Sequence, residues 1–301
     1  MKIENRNRWT KFAAISLVII AVALVMTISG HGLNLGVDFT GGTIMTYNMG
    51  VDFDVADVES ALGQSGVTNA QIAKIGTDGK EVQIRISDSE NTDALRDSIE
   101  NMLREKYVGI QYVDITRVGP TAGSELVKNA IQSMLWAAVL MLIYIAIRFD
   151  LYMGLAAVIG LAHDIAIMLS FTIILRRIIR VETTYIAALL TIVGYSINNT
   201  IIIFDRIREN SHKADLRQLS RGEIVDRSVS ESLSRTLNTS ITTLLTIVTL
   251  YILGVDSIRQ FALPLIICII SGIFSSNLLN GYVWAWIMDH RKNPAKVRKR
   301  A

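Results

Sequence analysis

Gly194-Tyr-Ser-Ile-Asn-Asn-Thr200 lies inside an apolar run from Thr183 to Phe204. A run of that length reaches across a bilayer, which takes roughly 17–25 residues of helix. Two adjacent carboxamides in hydrocarbon are costly unless they find hydrogen-bond partners. A lone lipid-facing helix would not carry them, so the stretch predicts a bundle in which other helices face it. Gly194 and Asn198 are four apart, as are Tyr195 and Asn199, and Ser196 lies three before Asn199. The polar groups therefore cover one broad helix face. Asn199 can bind a cation, bridge water or hold a neighbour's carboxyl group, but it cannot carry a proton.

The rest of the chain agrees with a membrane bundle. Of its 301 residues 50% are hydrophobic and 19% charged, with a mean hydropathy of +0.38. That balance belongs to an integral membrane protein. Six apolar segments stand out, at about 12–29, 130–147, 153–175, 183–204, 236–253 and 261–288. The first follows basic Lys2, Arg6, Arg8 and Lys11, as a signal peptide would, but it is long and has no convincing small-x-small cleavage site. It is expected to stay as a first membrane helix. The last is interrupted by Ser275-Ser276-Asn277 and Asn280, and its Trp284 and Trp286 suit an interfacial belt.

Lysine and arginine set the orientation. With the N-terminus inside, inner segments hold 18 of them and the short outer loops four: Arg176, Arg177, Arg180 and Arg259. Both termini are expected in the cytoplasm. The Arg176–Arg180 cluster runs against this trend without an account from sequence. The expected divisions are 1–30 (N-terminus and first helix), 31–127 (an extracytoplasmic domain), 128–288 (helices two to six) and 289–301 (a basic cytoplasmic tail).

Residues 31–127 carry 15 acidic against seven basic side chains. Strands are predicted at Gly42–Met49, Gln71–Ile75, Glu81–Ile86 and Ile110–Arg117. Helices are predicted at Val55–Gln64, capped by Asp54 and stopped by Gly66, and at Ala94–Lys106, capped by Asn91 or Thr92. Thr77-Asp-Gly79 is the expected turn between the middle strands. The order β-α-β-β-α-β is that of a ferredoxin-like unit. The fold class is thus a six-helix membrane protein with a small α+β domain between helices one and two. The long inner loop, 205–235, places Ile224, Val225, Val229 and Leu233 at near-helical spacing. It reads as an amphipathic helix on the membrane surface or a solvated connecting helix.

No soluble-enzyme motif is present: there is no P-loop and no metal-ligand cluster, and the four His are scattered. The single cysteine, Cys268, allows no disulfide within the chain. No catalytic residue, cofactor, metal or nucleic-acid partner is expected. Gly36, Gly41 and Gly42 read as a tight turn into the first strand. His163–Asp164 falls near the middle of the third apolar segment. A carboxyl group at that depth is expensive to ionise, so Asp164 is either a proton- or ion-handling group or a structural clamp, with His163 as its hydrogen-bond partner. Arg235 opens a hydroxyl-rich segment; it either snorkels to the inner surface or turns into the bundle to meet a carboxylate. Gly272, Ser271, Ser275 and Ser276 permit close helix contact.

Several ordered motifs now coincide. They are Gly36-Val-Asp-Phe-Thr-Gly-Gly-Thr43, with Asp38, Gly41 and Gly42, and Val118-Gly-Pro-Thr-Ala-Gly-Ser-Glu-Leu126. Further on come His163–Asp164, Ala187-Ala-Leu-Leu-Thr-Ile-Val-Gly-Tyr-Ser-Ile-Asn-Asn-Thr200, Phe204-Asp-Arg-Ile-Arg-Glu-Asn210 and Ser234-Arg-Thr-Leu237. Over nearly its whole length the chain resembles the SecF branch of the SecD/SecF protein-export family, within the resistance-nodulation-division superfamily. The resemblance implies pairing with a SecD-like subunit beside a SecYEG-type channel in the bacterial cytoplasmic membrane. It implies use of the proton-motive force to help preproteins leave the channel. It marks Asp164, Asn198, Asn199, Arg235 and His163 as ion-path candidates, and Asp205, Arg206, Arg208 and Glu209 as a motif at the cytoplasmic edge. One position departs: the family pattern in the fourth helix reads Ile-Asn-Asp-Thr, and Asn199 stands where its Asp is taken as part of the proton path. Sodium coupling, a carboxylate from SecD or a subunit that only transmits movement would each fit. The rival readings are an ion-coupled exporter of lipid or small molecules and a non-conducting scaffold.

Overall fold

A computed structural model describes residues 9–67, 70–76, 78–86, 92–107, 109–216 and 218–290. Outside them lie Lys2, Arg6, Arg8, most of the basic tail, Thr77 of the expected turn and Asn91 of the expected cap. Six helices are long and apolar enough to cross a membrane. They are α1 (Trp9–Ile28), α5 (Pro120–Arg148), α6 (Leu151–Ile174), α7 (Thr183–His212), α8 (Arg221–Leu253) and α9 (Asp256–Ser275), the last continued by a π-turn (Ser276–Asn280) and α10 (Gly281–His290).

Between α1 and α5 comes a short helix, α2 (Val37–Thr40), and then the α/β domain. Its elements are β1 (Gly42–Asn48), α3 (Val55–Gln64), β2 (Ala70–Ile75), β3 (Glu81–Ile86), α4 (Thr92–Lys106) and β4 (Gln111–Val118). The strand order is β2-β3-β1-β4, and every pairing is antiparallel. This is the ferredoxin-like arrangement expected from the element order. Asp54 caps α3 by accepting from the Ala56 amide at 3.0 Å. Gly66 ends that helix at φ +80°, a conformation that suits glycine. Alternate residues of β1 and β3 (Met45, Tyr47, Val82, Ile84) meet Val58, Leu62, Ile99 and Leu103 of the two helices in one core.

In the bundle, α6, α7 and α9–α10 are central, and α1, α5 and α8 expose apolar faces, among them Leu17, Leu135 and Leu245. Such faces suit hydrocarbon, not water. Small residues let the centre close up. A Cβ on Gly160 would lie 2.0 Å from Asn280 Oδ1, so only glycine fits where α6 meets the π-turn. Trp284 does not join an interfacial belt: it is buried between α6, α7 and α8, and of the two only Trp286 is exposed.

The expected surface helix in 205–235 does not exist as a separate element. α7 runs 30 residues and α8 33, so at 1.5 Å per residue each is about 45–50 Å long, beyond the ~30 Å of a hydrocarbon core. Their ends project together as an antiparallel pair joined through Ala214–Leu216. A capping box between Ser220 and Glu223 starts α8. Ile224, Val225 and Val229 owe their helical spacing to packing against α7 and α10, not to lipid.

Candidate functional site

Asp164 is fully buried near the centre of α6. Ser196 of α7 donates to its Oδ2 at 2.6 Å, and Ser275 of α9 at 2.8 Å. Ser271, one turn before Ser275, donates to Oδ1 at 2.8 Å. His163 Nδ1 lies 3.1 Å from Oδ1, and its Nε2 lies 2.8 Å from Ser16 Oγ on α1. One carboxyl group thus joins three helices directly, and a fourth, α1, through His163. Among the described residues no lysine or arginine pairs with it. A carboxylate buried without a counter-ion must have its lone pairs filled by donors, and three hydroxyls do this. Hydroxyls also accept, so the same groups can turn to receive a carboxyl proton without moving the backbone.

The other ion-path candidates lie apart from this cluster. Asn199 is fully buried but faces α8, where its Nδ2 donates to Ser240 Oγ at 2.9 Å. Its Oδ1 is buried without a partner. Asn198 and Arg235 are exposed on α7 and α8. Arg235 therefore does not turn into this chain's own bundle. Most threonines of the hydroxyl-rich helix, Thr239, Thr242, Thr243 and Thr246, bond carbonyls one turn back within α8. Sequence reasoning took Ser271 and Ser275 only as small residues and Ser240 only as one hydroxyl of the hydroxyl-rich segment, and it missed Ser16. Their spacing carried a signal, since 271 and 275 share a helix face, but the carboxyl group they serve is over a hundred residues away.

The glycine motif is a joint between the two halves of the molecule. Gly41 and Gly42 take φ +76° and +142° and lead into β1. A Cβ on Gly42 would sit 2.4 Å from the Ile86 carbonyl oxygen. Asp38 Oδ2 accepts from Thr183 N at 2.8 Å and Thr183 Oγ1 at 2.7 Å, capping the start of α7 from a distant part of the chain. The Gly36 amide donates to Val181 O at 2.8 Å. Arg85 of β3 pairs with Glu182 at 2.7 Å, both nearly buried. At the opposite end, Arg206 pairs with Glu209 at 2.7 Å and lies 3.5 Å from Glu231 of α8, and Arg208 donates to the Arg148 carbonyl of α5. Lys213, first, and then Arg206 hold the Glu209 carboxyl below its ordinary value, although burial opposes them. Asp205 is exposed.

These features define a class: a six-helix membrane protein with a ferredoxin-like domain after helix one, clamped to helix four, and a carboxyl group at the bundle centre. Comparison places that class. The family model for the SecD/SecF protein export membrane protein, C-terminal, matches residues 98–290, and the SecD/SecF GG motif matches 28–49. The protein translocase subunit SecF of Gemmatimonas aurantiaca is 39% identical over 299 residues, covering 95% of this chain and 87% of that one. That of Vibrio alginolyticus is 35% identical, covering 89% and 85%. The crystal structure of SecDF, a translocon-associated membrane protein from Thermus, superposes at TM-score 0.80 with 33% identity over 96% of this chain. A super-membrane-facing form of SecDF gives 0.73 at the same identity. This chain belongs to the SecD/SecF family of protein-export membrane proteins. It spans about 40% of the length of those SecDF chains.

Proposed function

We propose that the chain is a SecF-type, non-enzymatic accessory subunit of bacterial protein export. It works beside a SecD-type partner and a SecYEG-type channel, and uses an ion gradient to help preproteins through the last stage of crossing. The observation that carries this reading is Asp164, sealed in hydroxyl groups and tied through Ser196 to α7, whose first turn is clamped to the α/β domain. A change of charge at Asp164 acts on the contacts of α7, and α7 leads to the domain. In this reading the α/β domain is extracytoplasmic, both termini are cytoplasmic and the apolar outer faces contact lipid. Exposed Asn198 and Arg235 would then face the SecD-type partner. Asn199 favours a second reading, a subunit that transmits movement without conducting, because it puts no titratable group at its position.

The deciding experiment is export in a strain without this protein. Unprocessed preproteins should accumulate, most clearly in the cold. Normal export kinetics there would remove the assignment.

A further inference from the structure

The cluster Arg176, Arg177, Arg180 had no explanation in sequence: it puts cations at the sheet-side end of the bundle, against the general trend. The structure puts two of the three at one cavity. Between the foot of the α/β domain and the α6–α7 connection lies an open space of about 430 Å³, whose polar lining is Asn34, Gln71, Lys74, Arg177, Arg180 and Gln260. Its floor is held in place. Gln260 accepts from the Arg180 amide at 2.8 Å and donates to the Ile178 carbonyl at 3.1 Å. Asn34 donates to the Arg176 carbonyl at 3.1 Å. The connection is therefore fixed at three backbone points before any ligand arrives, which lowers the ordering cost of binding.

The charged side chains that line this space are Lys74, Arg177 and Arg180, and Arg180 lies 3.4 Å from Glu182. Arg176 and Arg177 meet no carboxylate at ion-pair distance among the described residues. Lys74 pairs with Asp52, whose side chain is 88% exposed, and lies over the Phe53 ring; such surface pairs bind weakly. Beside the cations stands Ile178, an apolar side chain that is 54% exposed and that water would not favour. Guanidinium groups over an apolar rim, at the end of membrane-spanning helices, match a phosphate group with acyl chains below it. The site also answers a problem of charge. Residues 31–127 are net acidic, so an anionic bilayer surface would repel the domain that rests on it. Cations at its foot offset that repulsion.

We propose that this cavity binds the headgroup of an anionic phospholipid from the leaflet on the sheet side. The inference rests on the membrane placement of α6 and α7 alone and is independent of ion coupling through Asp164. The lipid phosphate sits between Arg177 and Lys74, with the acyl chains against Ile178.

The test uses the full chain purified in non-ionic detergent. Native mass spectrometry measures lipid retention, and thermal unfolding measures stabilisation by phosphatidylglycerol, by phosphatidylcholine of the same chain length, and by inorganic phosphate. Phosphatidylglycerol should be retained and should stabilise at concentrations at least tenfold below those of phosphatidylcholine. The double variant Lys74→Gln, Arg177→Gln should lose that preference, while Arg177→Lys, which keeps the charge, should retain most of it. Lys80→Gln, an exposed cation of the α/β domain outside the cavity lining, should leave that preference unchanged. An undiminished preference in the double variant overturns the proposal. So does equal stabilisation by phosphatidylcholine, and so does equal stabilisation by inorganic phosphate, which would make the site one for a free anion.

Discussion

Asp38→Ala should loosen the joint between the α/β domain and α7 by a measurable amount. Asp38 Oδ2 accepts both the amide and the hydroxyl of Thr183 at the first turn of α7. Removing an N-cap acceptor costs about 0.5–2 kcal/mol. A negative charge at a helix N-terminus adds about 0.3–1 kcal/mol. The expected loss for Asp38→Ala is therefore about 1–3 kcal/mol, and for Asp38→Asn, which keeps an acceptor oxygen, under about 1 kcal/mol. At roughly 2–4 °C per kcal/mol for large single domains, the alanine variant should melt about 2–12 °C lower and the asparagine variant within about 4 °C of the parent. The assay is thermal unfolding of the full chain in detergent. Thr183→Val, alone and with Asp38→Ala, completes a double-mutant cycle whose coupling should reach about 0.5–1.5 kcal/mol. Equal losses for alanine and asparagine, or strictly additive effects with Thr183→Val, would refute the clamp.

Asp164→Asn should slow export while leaving the protein level unchanged, because an amide fills the same volume but cannot change charge; unaltered export in a pulse-chase experiment removes Asp164 from the coupling path. Arg235→Leu should impair export more than Arg235→Lys, since an exposed cation facing a partner acts by charge; equal, full activity of both variants would reduce Arg235 to a surface anchor. The α/β domain should be acid-sensitive. Hydrogen bonds from Lys106, first, and Tyr107 hold Asp57 below its ordinary 3.8, and Lys74 does the same for Asp52. Depressed carboxyl values contribute stability that is present above the unfolded value and lost as pH falls through the folded one, so melting should be flat from about pH 7 to 5 and decline below about pH 4. Lys106→Met should flatten that decline, as followed by circular dichroism.

Much of this architecture was legible because it rests on local physics. Apolar length located six helices, and alternation with turn residues gave the ferredoxin-like order, down to Asp54 as cap and Gly66 as stop. The helix ends were less legible. Charges after Phe204 suggested a loop, but Arg206, Glu209, Asn210 and Glu231 pair with one another across two helices that continue past the membrane. Local sequence cannot show a partner that comes from another helix. Asp164 was conspicuous because a charge in hydrocarbon is costly wherever it stands. Ser271 and Ser275 were not, because a serine in such a helix serves equally as a spacer or as a donor. Asn199 looked like part of the same face as Ser196, yet one turn of helix aims it at Ser240 on α8 and away from Asp164.

The π-turn at Ser276–Asn280 has a consequence for phase. Ser275 and Asn280 are five residues apart, so on a regular α-helix they would point about 140° away from each other. A π-turn bonds residues five apart and brings them onto one line. Gly160 and Asp164, four apart on α6, form the matching line: Ser275 bonds Asp164, and Asn280 presses into the space left by Gly160. Five residues of wider winding thus keep the sixth membrane helix in step with the third above and below its midpoint. A deletion of one residue within 276–279 would leave Ser275 and Asn280 four apart, so ordinary winding would then keep that alignment, whereas regular winding of the present sequence would turn Asn280, with everything after it, out of it.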